Sequence, residues 1–186
     1  MTARHEGFLY LLGFALCIPA ANWLIGNLGT FCVPQGPCLI PVAPPFLGSG
    51  VMAPSGVLMI GLALVLRDLV QRRLGIGWAF GAILSGTALS ALVAPPALVM
   101  ASAVAFLLSE LADLGVYTPL QRRGLVLAVF ASGLVGLLVD SIVFLWLAFG
   151  SLDLLAGQLL GKLWMLLAAL PLLHWLRRRD ARMGLA

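Results

Sequence analysis

The chain has 186 residues, of which 62% are hydrophobic and 10% charged, a composition that excludes an ordinary soluble domain and requires a polytopic membrane protein. Its formal net charge of +4 would suit a nucleic-acid partner, but the basic residues sit in short clusters between apolar segments, which is the mark of membrane topology and argues against nucleic acid. The whole of 1–186 reads as one all-α membrane domain, a bundle of about six transmembrane helices.

The first apolar segment runs from about Gly7 to Ile25, long enough at 1.5 Å per residue to cross a hydrocarbon core of about 30 Å. Arg4-His5 leads into it and no small-residue cleavage site follows, so the segment is expected to stay as a helix. Pro19 is expected to kink it, and Gly13, Cys17 and Ala21 form a stripe suited to close helix approach. Residues 27–53 are proline-rich and uncharged, and are expected to form an extended outer loop that dips partly into the membrane. Cys32 and Cys38 lie in this loop. Their spacing carries no metal or redox signature; the favoured reading is two unpaired thiols, and a disulfide requires an oxidising compartment.

Helix two is read from about Pro54 to Leu74, with Pro54 suiting its first turn. Helix three spans about Ile76 to Val93, where Gly77, Gly81 and Ser85-Gly86 offer close packing, and Pro95-Pro96 ends it. Helix four runs from about Ala97 to Tyr117, helix five from Leu125 to Phe149, and helix six from about Leu155 to Leu176. When successive loops are assigned to alternate sides, Arg4, Arg72, Arg73, Arg122, Arg123 and Arg177 to Arg179 all fall on one side, while the opposite loops contain no Lys or Arg. Both termini are therefore expected in the cytoplasm.

Helix four carries two acids at hydrocarbon depth, Glu110 and Asp113, on the same face as Tyr117. Bare carboxylates there cost several kcal/mol unless they meet a partner or handle a solute or proton. Counted from the outer helix ends, Arg67 and Glu110 both lie roughly 20 Å down and so can meet, with Asp68 and Asp113 within a turn of that level. Asp140 and Lys162 are only roughly 10 to 14 Å down and form a second, outer layer. Arg67 and Lys162 set against Asp68, Glu110, Asp113 and Asp140 leave a formal surplus of two negative charges. Either an acid binds a proton, or the site awaits a cation or a hydrogen-bond donor. The alternative is that Arg67, Asp68 and Asp113 snorkel to the inner interface.

His5 and His174 sit near opposite chain ends without a metal-binding spacing, and the serines lack a nucleophile elbow, so neither an enzyme nor a metal site nor a cofactor is expected. The segments RDLVQRRLG (Arg67 to Gly75), SELADLGVYTPL (Ser109 to Leu120) and VDSIVFLWLAFG followed by GQLLGKLWM (Val139 to Met165) together resemble the vitamin-uptake-transporter family of bacterial membrane proteins, which includes the queuosine-precursor transporters. The resemblance covers helices two to six, and departs from the family's pattern at Gln71, near which an acidic residue is expected. It implies a six-helix inner-membrane importer of 7-deazaguanine bases such as preQ0 and preQ1, working by secondary transport. The substrate-binding candidates are then Arg67, Asp68, Glu110, Asp113, Tyr117, Asp140, Gln158 and Lys162. An acid such as Glu110 or Asp113 would hold the amide-like edge of the base. Trp78, Phe106, Tyr117, Phe144 and Trp146 are available for its flat face. The alternative function is the substrate-capture subunit of an energy-coupling-factor importer, docked to its ATPase module through the Gly13, Cys17, Ala21 stripe. Membrane lipid is the surrounding partner, and a homodimer stays open.

Overall fold

The computed structural model describes residues 3–33, 37–43 and 50–183. Six long helices form the molecule: α1 (Ala3–Asn27), α2 (Val57–Leu74), α3 (Ile76–Val93), α4 (Val99–Leu120), α5 (Leu125–Phe149) and α6 (Leu155–Arg182). A 3-10 turn, Pro96–Leu98, leads into α4. Five of the helices, all but α2, are long and apolar enough to cross a membrane, and the chain is an all-α multi-pass membrane protein.

The exception sits at the centre. α2 contacts each of the other five helices, and none of its residues is exposed. Arg67, Asp68 and Gln71 lower its hydropathy, yet they are shielded from lipid on every side, which is where polar groups at membrane depth are tolerated. Leu64, Val65 and Leu69 of α2 pack with Leu125, Val129 and Leu137 of α5 and Leu166 and Leu173 of α6. On the opposite flank Ala63 packs with Phe14, Cys17 and Ile18 of α1, Ala82 of α3 and Phe106 of α4. The small-residue stripe of α1 is therefore used inside the bundle: Cys17 and Ala21 are buried, and Leu66 lies 3.2 Å from where a Cβ on Gly13 would stand. On α3 the expectation holds at Gly86, where an added Cβ would stand 2.9 Å from the Phe106 ring, and fails at Gly77 and Gly81, which face outward: a Cβ added at either would meet no atom of the described chain within 4 Å.

Between α1 and α2 the chain folds into a small antiparallel sheet of β1 (Phe31–Cys32), β2 (Cys38–Pro41) and β3 (Met52–Pro54), in the order β1-β2-β3. In the described part of the extended loop, residues 31–32, 38–41 and 52–54 are paired strand, with Leu39 opposite Pro54 and Ile40 opposite Ala53. Two expectations are corrected here. Pro54 ends β3, and the helix begins at Val57. Cys32 and Cys38 are joined by a disulfide, because β1 and β2 place them directly opposite one another. The remainder of the proline-rich loop, including the run after Ala43, lies outside the described residues.

The sheet is seated on the helix ends. Trp164 Nε1 donates to the Val42 carbonyl at 2.9 Å, and Ser55 Oγ donates to the Leu24 carbonyl at 2.7 Å. At Gly157 an added Cβ would stand 1.9 Å from the Met52 carbonyl oxygen, so only glycine lets the sheet lie this close to α6. At the other end of the bundle, an ionic network ties α1, α2 and α6 together. Asp180, fully buried, accepts from Arg72 at 2.8 Å and from Arg73 at 2.7 Å, and Glu6 meets Arg73 at 3.2 Å and Arg179 at 2.5 Å.

The two ends thus differ in kind: one carries the sheet and the disulfide, the other the arginines. A disulfide needs an oxidising compartment and arginine-rich loops stay in the cytoplasm, so both marks give the same orientation. Reporter fusions after Arg72 and Arg122 should report cytoplasm, and a fusion at Ser151 the outside. A cytoplasmic signal at Ser151 would contradict this arrangement.

Candidate functional site

Two polar layers cross the bundle. The deeper one is built on Arg67, whose side chain is 0% exposed. Its guanidinium is a rigid fork, and every arm is taken. Nε donates to Glu110 Oε2 at 3.0 Å. Nη2 donates to Asp113 Oδ1. Nη1 lies 2.9 Å from Asp68 Oδ1 and 3.3 Å from Gln71 Oε1. Interfacial snorkelling is ruled out for these groups, because Arg67, Asp68 and Asp113 are all buried and held by one another.

Helical spacing supplies the partners. Phe106, Glu110, Asp113 and Tyr117 are all buried, at steps of four, three and four along one face of α4. Arg67 and Gln71 are one turn apart on α2. Gln71 extends the layer by donating through Nε2 to Thr118 Oγ1 at 3.1 Å, and Ser132 of α5 donates to Asp68 Oδ2 at 2.8 Å. Gly136 of α5 faces the acids: a Cβ there would meet Leu64 at 2.8 Å and Asp113 Oδ2 at 3.1 Å. Tyr117 lays its ring 5.9 Å from the guanidinium carbon, a cation–π contact in a desolvated setting, while its hydroxyl has no hydrogen-bond partner.

The second layer surrounds Lys162 of α6, which is 1% exposed. Its ammonium donates to Asp140 Oδ2 at 2.6 Å, Ser141 Oγ at 2.7 Å and Gln158 Oε1 at 2.5 Å. All three protons of the ammonium are used, which is the condition for keeping such a charge at this depth. The outer pair expected from depth alone is present, and it is a four-member cluster.

A cavity of about 60 Å³ opens beside this second layer in the sheet half of the bundle. Asp140, Gln158 and Lys162 form its polar wall, and Phe106 and Phe144 supply aromatic surface. Asn22, Ser90 and Ser102 add further polar groups, none of which sequence reasoning singled out. Of the candidates named from sequence, then, Asp140, Gln158 and Lys162 reach the cavity. Arg67, Asp68, Glu110, Asp113 and Tyr117 form the separate layer below it, one helical turn deeper along α4 from Phe106. Trp78 and Trp146 point outward, 46% and 62% exposed, into what is lipid for a multi-pass protein. His174 Nδ1 contacts the Leu170 carbonyl within its own helix. Among the described residues no group of His, Cys, Asp and Glu is arranged to hold a metal ion.

The family model described as "Putative vitamin uptake transporter" matches residues 57–176, the stretch that carries α2 to α5, most of α6 and both polar layers. No curated protein and no solved structure matches the chain.

Proposed function

The chain belongs to the vitamin uptake transporter family, and from that membership we propose that it imports a 7-deazaguanine base, such as preQ0 or preQ1, across a bacterial inner membrane by secondary transport. The observation that carries this reading is the cavity, where a carboxylate, an amide and an ammonium (Asp140, Gln158 and Lys162) share a wall near two phenylalanines. A deazaguanine presents an edge of alternating donors and acceptors and a flat apolar face. Asp140 can accept from its donors, Gln158 can serve either kind of group, and Phe106 or Phe144 can pack against the ring. Asp140 therefore takes the edge-binding role that the sequence suggested for Glu110 or Asp113, which are held by Arg67.

At about 60 Å³ the cavity holds a few waters, each of which needs roughly 10–15 Å³. The cavity lies in the sheet half of the bundle, and alternating access requires the helices to part before the solute can leave at the other end. The Arg72, Arg73, Arg179, Glu6 and Asp180 network closes the basic end of the bundle meanwhile.

The stripe Gly13, Cys17, Ala21 lies against α2, which favours a stand-alone carrier over an energy-coupling-factor subunit that docks through α1. One observation favours the second reading: the open Gly77 and Gly81 face of α3 would admit a helix of a coupling partner. Uptake in a host without any coupling ATPase distinguishes the two. In cells unable to synthesise deazapurines, preQ0, preQ1 and queuine would be supplied separately and queuosine measured in tRNA. Expression should restore the modification with at least one base, and failure with all three would reject this substrate class.

A further inference from the structure

In the deeper layer the protons do not suffice for the acceptors. Glu110, Asp113 and Asp68 surround one guanidinium, and among their oxygens Glu110 Oε1, Asp113 Oδ2 and Asp68 Oδ1 are buried without a hydrogen-bond partner, the last of them in ionic contact with Arg67 alone. Asp68 and Asp113 sit side by side on the two terminal nitrogens of that guanidinium, Asp68 Oδ1 at Nη1 and Asp113 Oδ1 at Nη2, and the hydroxyl of Ser132 is already given to Asp68 Oδ2. Ser132 has one proton to give. Ionised carboxylates only accept, and three of them on one guanidinium leave two uncompensated negative charges in a dry interior unless a proton is bound. We propose that Asp68 and Asp113 share one exchangeable proton beside Arg67, and that its binding and release couples solute movement to proton flow.

The surroundings provide a place for the proton and a path to it. α2 contributes Arg67 and, further along, Arg72; α4 contributes Glu110 and Tyr117; α5 contributes Ser132 and, towards the cavity, Asp140. α3 has no titratable side chain. The ionisable groups Glu6 of α1 and Arg179 and Asp180 of α6 are engaged in the network at the basic end, and Lys162 in its own cluster. Glu110 stands between the shared proton and the cavity, one turn from Asp113 on one side and one turn from the cavity-lining Phe106 on the other. A proton entering by the cavity would pass Asp140 and Glu110 before reaching the Asp68–Asp113 pair. When the proton leaves, the pair becomes two adjacent anions. These cannot remain together unless the helices carrying them, α2 and α4, move apart or Arg67 shifts between them.

The shared proton is independent of what is carried, whereas the coupling rests on the transport reading above. The test therefore has two arms on the purified full-length protein. In the first, infrared spectroscopy at neutral pH should show the carbonyl stretch of a protonated carboxylic acid, shifted in D2O, in the wild type and lost in Asp68→Asn and in Asp113→Asn. Absence of the band in the wild type, which needs no variant to fold, would overturn the proposal, as would a band that survives both substitutions. In the second arm, proteoliposomes acidic outside, with the membrane potential clamped at zero, should accumulate labelled preQ0, a neutral nitrile, up to about tenfold for each pH unit if one proton moves with each solute. Accumulation independent of the pH gradient would overturn the coupling. Exchange of labelled for unlabelled preQ0 at equal pH reports the solute alone. If exchange is absent while the infrared band is present, the assigned substrate fails and the proton site stands.

Discussion

Replacing Arg67 by methionine should abolish the folded protein in membranes, while neutralising any single acid around it should cost far less. Arg67 is the cation that Asp68, Glu110 and Asp113 share. Removing one member of a buried ion pair costs about 3 to 5 kcal/mol because it strands the other charge, and here one substitution strands three carboxyl groups at once. Glu110→Gln or Asp68→Asn strands no charge of its own and leaves the guanidinium with two acids. Arg67→Lys should fall between these extremes, since an ammonium preserves the charge but has no planar fork to reach Glu110, Asp113 and Asp68 together. Folded yield in detergent, read by size-exclusion chromatography of a fluorescent fusion, should rank wild type first, then the single acid variants, then Arg67→Lys, with Arg67→Met last. Arg67→Met at wild-type yield would mean that the acids are neutral in the membrane and that Arg67 does not hold them.

Depth was legible in the sequence because helical rise is fixed by the backbone and owes nothing to tertiary context. Counting residues from the helix ends separates Arg67 and Glu110 from Asp140 and Lys162, and the structure pairs each set as the count implies. Facing was legible too: Glu110, Asp113 and Tyr117 share one side of α4 because they recur at helical steps. The choice of central helix was not. Acids inside an apolar run make α4 stand out, whereas Arg67 and Asp68 precede the basic cluster Arg72-Arg73 and read as the interfacial end of a helix. Only packing reveals that α2 is enclosed by all five others.

Contacts between distant segments were beyond sequence for a related reason. Asp180 meets Arg72 across 108 positions, and in the chain it looks like one charge within a basic tail. Ser132 and Ser141 are small polar residues in apolar helices, of which the sequence has several, and nothing local distinguishes those that reach Asp68 and Lys162. The sheet was missed because proline and glycine mark only where helix stops. β1 and β2 pair in a local register flanked by the Thr30 N–H donating to the Leu39 carbonyl at 2.8 Å, and the cysteines became partners only through that register. The outward position of Gly77 and Gly81 shows the same limit, since a small-residue stripe tells that a helix can be approached closely but not by what.

Neutralising either partner of the outer pair should depress folded yield, and neutralising both should restore part of it. Lys162 and Asp140 are 2.6 Å apart at a depth where a lone charge is poorly tolerated, so Asp140→Asn and Lys162→Met should each destabilise the protein by about 3 to 5 kcal/mol. The double variant leaves no stranded charge and should fall well short of the sum. Recovery should nevertheless be incomplete, because Lys162 also donates to Ser141 and Gln158. Ser141 keeps a second partner in the Leu137 carbonyl at 2.6 Å, but the Gln158 carbonyl loses its donor inside the bundle, at a further cost of roughly 1 to 3 kcal/mol for a buried unsatisfied group. Adding Gln158→Leu to the double variant should remove that remainder. Uptake should stay low in all of these proteins, because Asp140, Gln158 and Lys162 line the cavity and their loss removes its polar wall whatever happens to stability. Additive yield losses for Asp140→Asn and Lys162→Met would show that the two charges are not coupled in the membrane. Full uptake in a stable triple variant would move the solute site away from this cavity.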